Sequence, residues 1–355
     1  MSIQQFWDSI WSAGRVPPAT VVLPANHVQG DAQVGTPIKP NADYFQVIVN
    51  QLFLEKSRKW FTTIDPLVMA VTNFSYQKLE RSVPFLVGPG MLEGALAAAK
   101  TKEPAGMIYR NTRVAGVHPY RGGPVSLAIV LCQVPVSDAS KRLLGVVDGL
   151  SQAIDIATSL TPYLKIGGAV LNGFNSLMGL DGVKALMGWQ AGFGDGNTPF
   201  TTGYYVLIDG PGVDAATLWV RNGELFQGAT EQSATAVRDR DFVLFSIVKP
   251  PEGKRTDLDR LAYWLAWERV QGDAGVAKAD NWETAKVNMA TLLIDLMQSP
   301  DLTEGHAQAL GDEYIAKMRA IHDKAVGLSH LGAAKSAESA AQAAVRQRAL
   351  KVLAL

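Results

Sequence analysis

The sequence has one cysteine, Cys132, in 355 residues. That excludes an internal disulfide and any metal site built from several thiolates. It has no surplus of either charge, with Lys plus Arg at 33 and Asp plus Glu at 33. A phosphate-rich partner needs a basic excess on at least one face, so no nucleic acid is expected. No run of 18 apolar residues occurs, so no ordinary membrane-spanning helix is expected. The N-terminus lacks the basic start and unbroken apolar stretch of a secretory leader: the first basic residue is Arg15, and Asp8 interrupts the apolar positions. Phe6, Trp7, Ile10 and Trp11 instead recur at helical spacing. Charged residues make up only 19% of the chain against 47% apolar, the composition of a chain that buries a core. The expectation is a folded, cytoplasmic protein.

What is present sorts into four regions. Residues 1–42 read as an extended N-terminal arm, rich in Pro, Gly and Asn beyond residue 16. Residues 43–248 read as a β-domain. Its β-branched and aromatic runs are 44–54, 59–64, 67–76, 82–87, 107–117, 125–135, 203–209, 217–221, 224–226 and 241–248. Asp65-Pro66 is expected to turn the chain between two of these, and Asn222-Gly223 to close a hairpin, since both of its residues accept positive φ. At about 137–199 the character changes. From Leu143 to Pro199 there are six charged residues, where the chain average predicts about eleven, and apolar positions follow helical spacing. A helical insertion buried on most sides is expected. Lys249 to Arg255 (KPPEGKR) has the composition of an exposed linker, with Lys249, Lys254 and Arg255 open to a protease. Residues 256–328 read as a helical unit, with Thr256 capping its first helix, and 329–355 as an Ala-rich basic tail.

Chemistry-bearing motifs are thin. Gly88-Pro-Gly90 with Gly94 sits between a strand and a helix, where backbone N–H groups can cradle phosphate. Its spacing matches neither the dinucleotide fingerprint nor the P-loop, so a tight turn is the reading. Cys132 lies in SLAIVLCQV, the setting of an inert core thiol, and His118 precedes Pro119 in what reads as a solvent-facing turn. His306, His322 and His330 are 16 and 8 residues apart, not the three or four that puts two ligands on one helix face. No metal and no cofactor are expected. The acids Asp257, Asp259, Asp273, Asp280, Asp312 and Glu313 read as helix-start and surface positions.

These observations lead to an α+β fold: a mainly antiparallel, sandwich-like β-domain with an inserted apolar helical segment and a C-terminal helical unit. The functional expectation is a non-catalytic protein that acts by association, as a scaffold or by self-assembly. In a stronger form the low-charge segment is held against the β-domain and released to insert into a membrane or form a pore. The contact residues expected are Leu171, Phe174, Leu177, Met178 and Trp189 from that segment, and Trp264 and Trp267 from the helical unit. The partner is another protein or a second copy, with a membrane surface as the alternative. The competing reading is a hydrolase whose site is assembled from distant residues.

Overall fold

The structure is a computed structural model and describes residues 19–31, 33–54, 58–59, 62–76, 79–87, 107–135, 172, 176, 183–194, 198–210 and 213–353. The described residues combine antiparallel sheets with three long α-helices, Trp264–Ala274, Ala279–Gln298 and Glu304–Leu353. It divides into two compact units, Met1–Leu261 and Ala262–Leu355.

The first unit carries thirteen described strands. In chain order they are β1 (Ala19–Val22), β2 (Tyr44–Leu54), β3 (Arg58–Lys59), β4 (Thr62–Tyr76), β5 (Leu79–Val87), β6 (Met107–Pro119) and β7 (Val125–Pro135). Then follow β8 (Lys184–Phe193), β9 (Gly203–Ile208), β10 (Leu218–Arg221), β11 (Glu224–Gln227), β12 (Thr235–Ala236) and β13 (Phe242–Val248). One antiparallel sheet has the order β1-β9-β13-β2-β6. A second has the order β3-β4-β7-β8, with β5 also paired to β4. A small third sheet joins β10, β11 and β12.

Burial explains the sequence pattern of these strands. Strand β9 and all but the last residue of β13 are buried at every position, with no polar alternation. One face of the first sheet contributes Phe45, Val47, Tyr205, Val243 and Phe245 to a large apolar cluster shared with β4, β7 and β8. The other face contributes Phe53, Val206, Ile208 and Leu244 to a cluster with Leu218 and Leu225 of the small sheet and Val21, Leu23 and Val28 of the arm. A strand covered on both sides has no reason to alternate. Strand β2 changes parity midway. Val49 and Leu52 both join the shared cluster because Asn50 is extra in the register between Leu244↔Gln51 and Phe245↔Val49. Such a bulge moves every later side chain to the opposite face. At the β10–β11 hairpin, Asn222 and Gly223 have φ of 51° and 74°, the doubly positive turn that their residue types favour.

Several expectations are corrected here. Asp65-Pro66 does not turn the chain: β4 is continuous through it, with Pro66 opposite Gln133 of β7. Pro66 falls between the stretch of β4 paired to β3 and the stretch paired to β5, where one side of the strand carries no described ladder and a missing N–H costs little. The arm contributes a strand, β1, at the edge of the first sheet. The expected helical insertion overreaches at its C-terminal end: residues 184–193 form β8, paired to β7 along its length. The rest of that segment lies outside the described residues, apart from Asn172 and Ser176, which are helical, exposed and joined by a 3.0 Å hydrogen bond from the Ser176 hydroxyl to the Asn172 carbonyl.

The second unit holds α1 (Trp264–Ala274), α2 (Ala279–Gln298) and α3 (Glu304–Leu353). Helix α1 starts eight residues after Thr256, because Leu258–Arg260 forms a separate 3-10 turn. The unit's core is Trp267 and Val270 of α1, Ala285, Met289, Leu292 and Leu296 of α2, and Leu310, Tyr314 and Met318 of α3. These recur every three or four residues and so form one stripe per helix. The tail is not a separate element, since α3 runs unbroken through Gly327. Gly327 and Gly332 each cost the helix about 1 kcal/mol relative to alanine, and the Ala-rich stretch beyond them adds almost no further cost.

Candidate functional site

Two places bring together the residues that carry chemistry or contact. The first is a buried corner of the β-unit. His118 lies on β6, not in a solvent-facing turn; β6 runs on through Pro119, which pairs with Tyr44. The ring is packed edge-on to Phe45 at 5.6 Å and tilted against Phe74 at 5.9 Å between centroids. A β-carbon on Gly116 would come within 2.9 Å of its Cε1, so only glycine leaves room for the ring to lie back over its own strand. Neither ring nitrogen has a hydrogen-bond partner among the described residues. Burial, with Arg255 and Arg113 adding to it, pulls the imidazole down to about 3.

Arg255 is buried beside this corner, contrary to the expected exposure of the linker. Its Nε and Nη2 donate to the two carboxylate oxygens of Asp257 at 2.9 and 3.3 Å, and its Nη1 donates to the Val117 carbonyl at 3.2 Å. The fork of a guanidinium matches a carboxylate in this two-point way, which makes burial of the charge tolerable. Lys249 is held by Asp43 at 2.7 Å, and Lys254 is exposed. Pro250 to Gly253 closes a tight turn, with Gly253 at φ 67°.

Cys132 and His118 are not brought together. Cys132 pairs with Leu67, and side chains alternate along β4, so both sit on the face of the second sheet opposite to Phe74, the residue that touches His118. Burial pushes the thiol up to about 12. Trp189 is half-buried inside an aromatic run, 5.2 Å from Tyr205 and 5.0 Å from Phe245. Leu171, Phe174, Leu177 and Met178, and the glycines of 88–94, lie outside the described residues. No group of three or more His, Cys, Asp or Glu among the described residues is placed to hold a metal ion. None of the described helices is long and apolar enough to cross a membrane.

The second place is the helical unit. Trp267 is in its core, stacked on Tyr314, while Trp264 is half-exposed and donates its indole N–H to Glu268 at 2.9 Å. Helix α2 carries two apolar stripes. One, with Met289 and Leu292, is buried. The other is Val287, Ala290, Ile294 and Met297; Val287 is 66%, Ile294 57% and Met297 43% exposed. Their spacing of three, four and three is that of a helix seam. Asp280 and Glu283 continue the same line toward the N-terminus, both exposed. This stripe was legible as a second period in the α2 sequence but is masked there by the stronger run 285, 289, 292, 296.

Comparison of the chain with known protein families, curated proteins and solved structures finds no match.

Proposed function

We propose that the protein acts by association and not by catalysis, and that it does so as a scaffold or self-assembling protein. The observation that carries this reading is α2. A helix that is apolar on two sides is ordinarily covered on both, and here one seam is open to solvent. The state of Cys132 and His118 agrees with it: a thiol raised to about 12 is not a thiolate, and an imidazole lowered to about 3 does not take up a proton at neutral pH.

The same reading extends to the fold. The two five-stranded sheets, sharing one apolar cluster, are taken as the halves of a sandwich-like domain. Residues 137–183, low in charge from Leu143 on, are taken as its inserted helical segment, and the stronger form of the proposal makes that segment the element released to a membrane. The protein is taken to work in the cytoplasm.

Sedimentation velocity over a concentration series tests the association reading. A mass rising above the 38.1 kDa of one chain supports it. A single 38.1 kDa species at every concentration, together with turnover in an unbiased hydrolase panel, rejects it in favour of an enzyme. Leakage from liposomes before and after limited proteolysis separates the membrane form from plain self-assembly.

A further inference from the structure

The open seam of α2 has a counterpart in the same chain. Helix α3 is 50 residues long, about 75 Å at 1.5 Å per residue, whereas α2 has 20 residues and spans about 30 Å. The last side chain of α3 described as buried is Met318. Residue 334 lies about 24 Å farther along the axis. Because α3 is unbroken, its C-terminal end cannot fold back onto its own α2.

The two stretches are complementary in charge. From 262 to 329 Asp and Glu number 10 and Lys and Arg 6; from 330 to 355 there is one acid, Glu338, against Lys335, Arg346, Arg348 and Lys351. They are also complementary in size and spacing. Alanines at 334, 337, 341 and 344 repeat, in reverse order, the three-four-three spacing of Met297, Ile294, Ala290 and Val287. With the helices antiparallel and these positions facing, Glu283 comes level with Arg348 and Asp280 with Lys351. Met297, Ile294 and Val287 then come level with alanines, Ala290 with Ala341, and opposite charges meet at the end of the apolar part.

We infer that the exposed seam of α2 docks the C-terminal third of α3 from a second copy of this chain, antiparallel. The contact is heterologous: each copy offers one seam and one helix end. It closes if two copies exchange ends and propagates if they do not. This inference rests on the association reading and names the partner and the surface within it.

The test is sedimentation velocity on the full chain at graded concentration and salt. The variants are Ile294→Lys, an acid-to-base seam (Asp280→Lys with Glu283→Lys), and a base-to-acid helix end (Arg348→Glu with Lys351→Glu). Ile294 is exposed, so Ile294→Lys is expected to keep the far-ultraviolet spectrum of the wild type. Wild type should associate, less so at high salt. Ile294→Lys and each charge variant alone should lose association by about tenfold or more, and mixing the two charge variants should restore it. Wild-type assembly that all variants retain, or charge variants that fail to rescue one another, overturns this surface and leaves association by another one. A wild-type chain that stays monomeric throughout overturns both the surface and the reading beneath it.

Discussion

Trp267 of α1 lies flat on Tyr314 of α3, with ring centroids 4.2 Å apart and planes within 6°. Both are buried, and the Tyr314 hydroxyl is pushed up to about 12, chiefly by burial. The indole is the largest side chain in the helical core and joins the helix that starts the unit to the helix that ends it. Trp267→Ala should cost about 3–5 kcal/mol, the price of a large aromatic cavity. The loss should appear as a separate, earlier transition in helical ellipticity, because the β-unit has its own core. Melting identical to wild type would mean that the helical unit does not depend on this pair.

The neutral His118 gives a pH test whose sign can be worked out. The folded-state value is about 3, against 6.5 for an imidazole in its ordinary, solvated setting. Between these the unfolded chain binds a proton and the folded chain does not, so stability falls as pH drops from 6.5 toward 3. The full loss is about 4–5 kcal/mol at 1.36 kcal/mol per unit. His118→Phe should flatten that limb of a urea-midpoint series. It should be neutral or stabilising above pH 7, because it removes two ring nitrogens that have no described partner. An unchanged acid slope in the variant would assign the pH dependence to other groups.

How much of this could be read in the sequence depends on the kind of signal. Strands covered on one or both faces announce themselves by β-branched and aromatic content, and β2, β6, β7, β9 and β13 fall where that content is. Strand β8 did not, because its glycine, alanine and methionine positions (KALMGWQAGF) resemble the apolar helical stretch before it; only pairing to β7 decides the matter. Pro66 reads as a breaker in sequence and is harmless at a local strand edge. Arg255 reads as linker because its neighbours are Pro, Gly and Lys; its burial depends on Asp257 and on the Val117 carbonyl 138 residues away. The core stripes of α2 and α3 were legible from spacing alone, whereas the exposure of Val287 and Ile294 needed the third dimension.

Cys132 should be unreactive in the folded chain. A rise from 9.0 to about 12 lowers the thiolate fraction near pH 8 by about a thousandfold, and burial restricts access further. Native alkylation should therefore follow unfolding, accelerating with denaturant. Cys132→Ala should leave association unchanged. Rapid alkylation of the native protein with loss of any activity would place a reactive thiol where the fold has only a core residue.

The linker gives the last test, because its three basic residues now differ. Lys249 precedes Pro250, a bond trypsin does not cut, and it is held by Asp43. Arg255 is buried and doubly bound to Asp257. Lys254 alone is exposed. Limited trypsin treatment should therefore cut in this stretch only after Lys254, separating a fragment of about 250 residues from one of about 100. Asp257→Asn removes the negative charge that accepts two hydrogen bonds from the buried guanidinium, a loss of up to about 3–5 kcal/mol for a pair of this kind. That variant should open the Arg255 site to trypsin as well, seen as a second cleavage one residue on by mass spectrometry. If Arg255 is cut in the wild type as fast as Lys254, the guanidinium is not anchored in solution. The corner around Val117 and His118 would then be looser than the two hydrogen bonds to Asp257 imply.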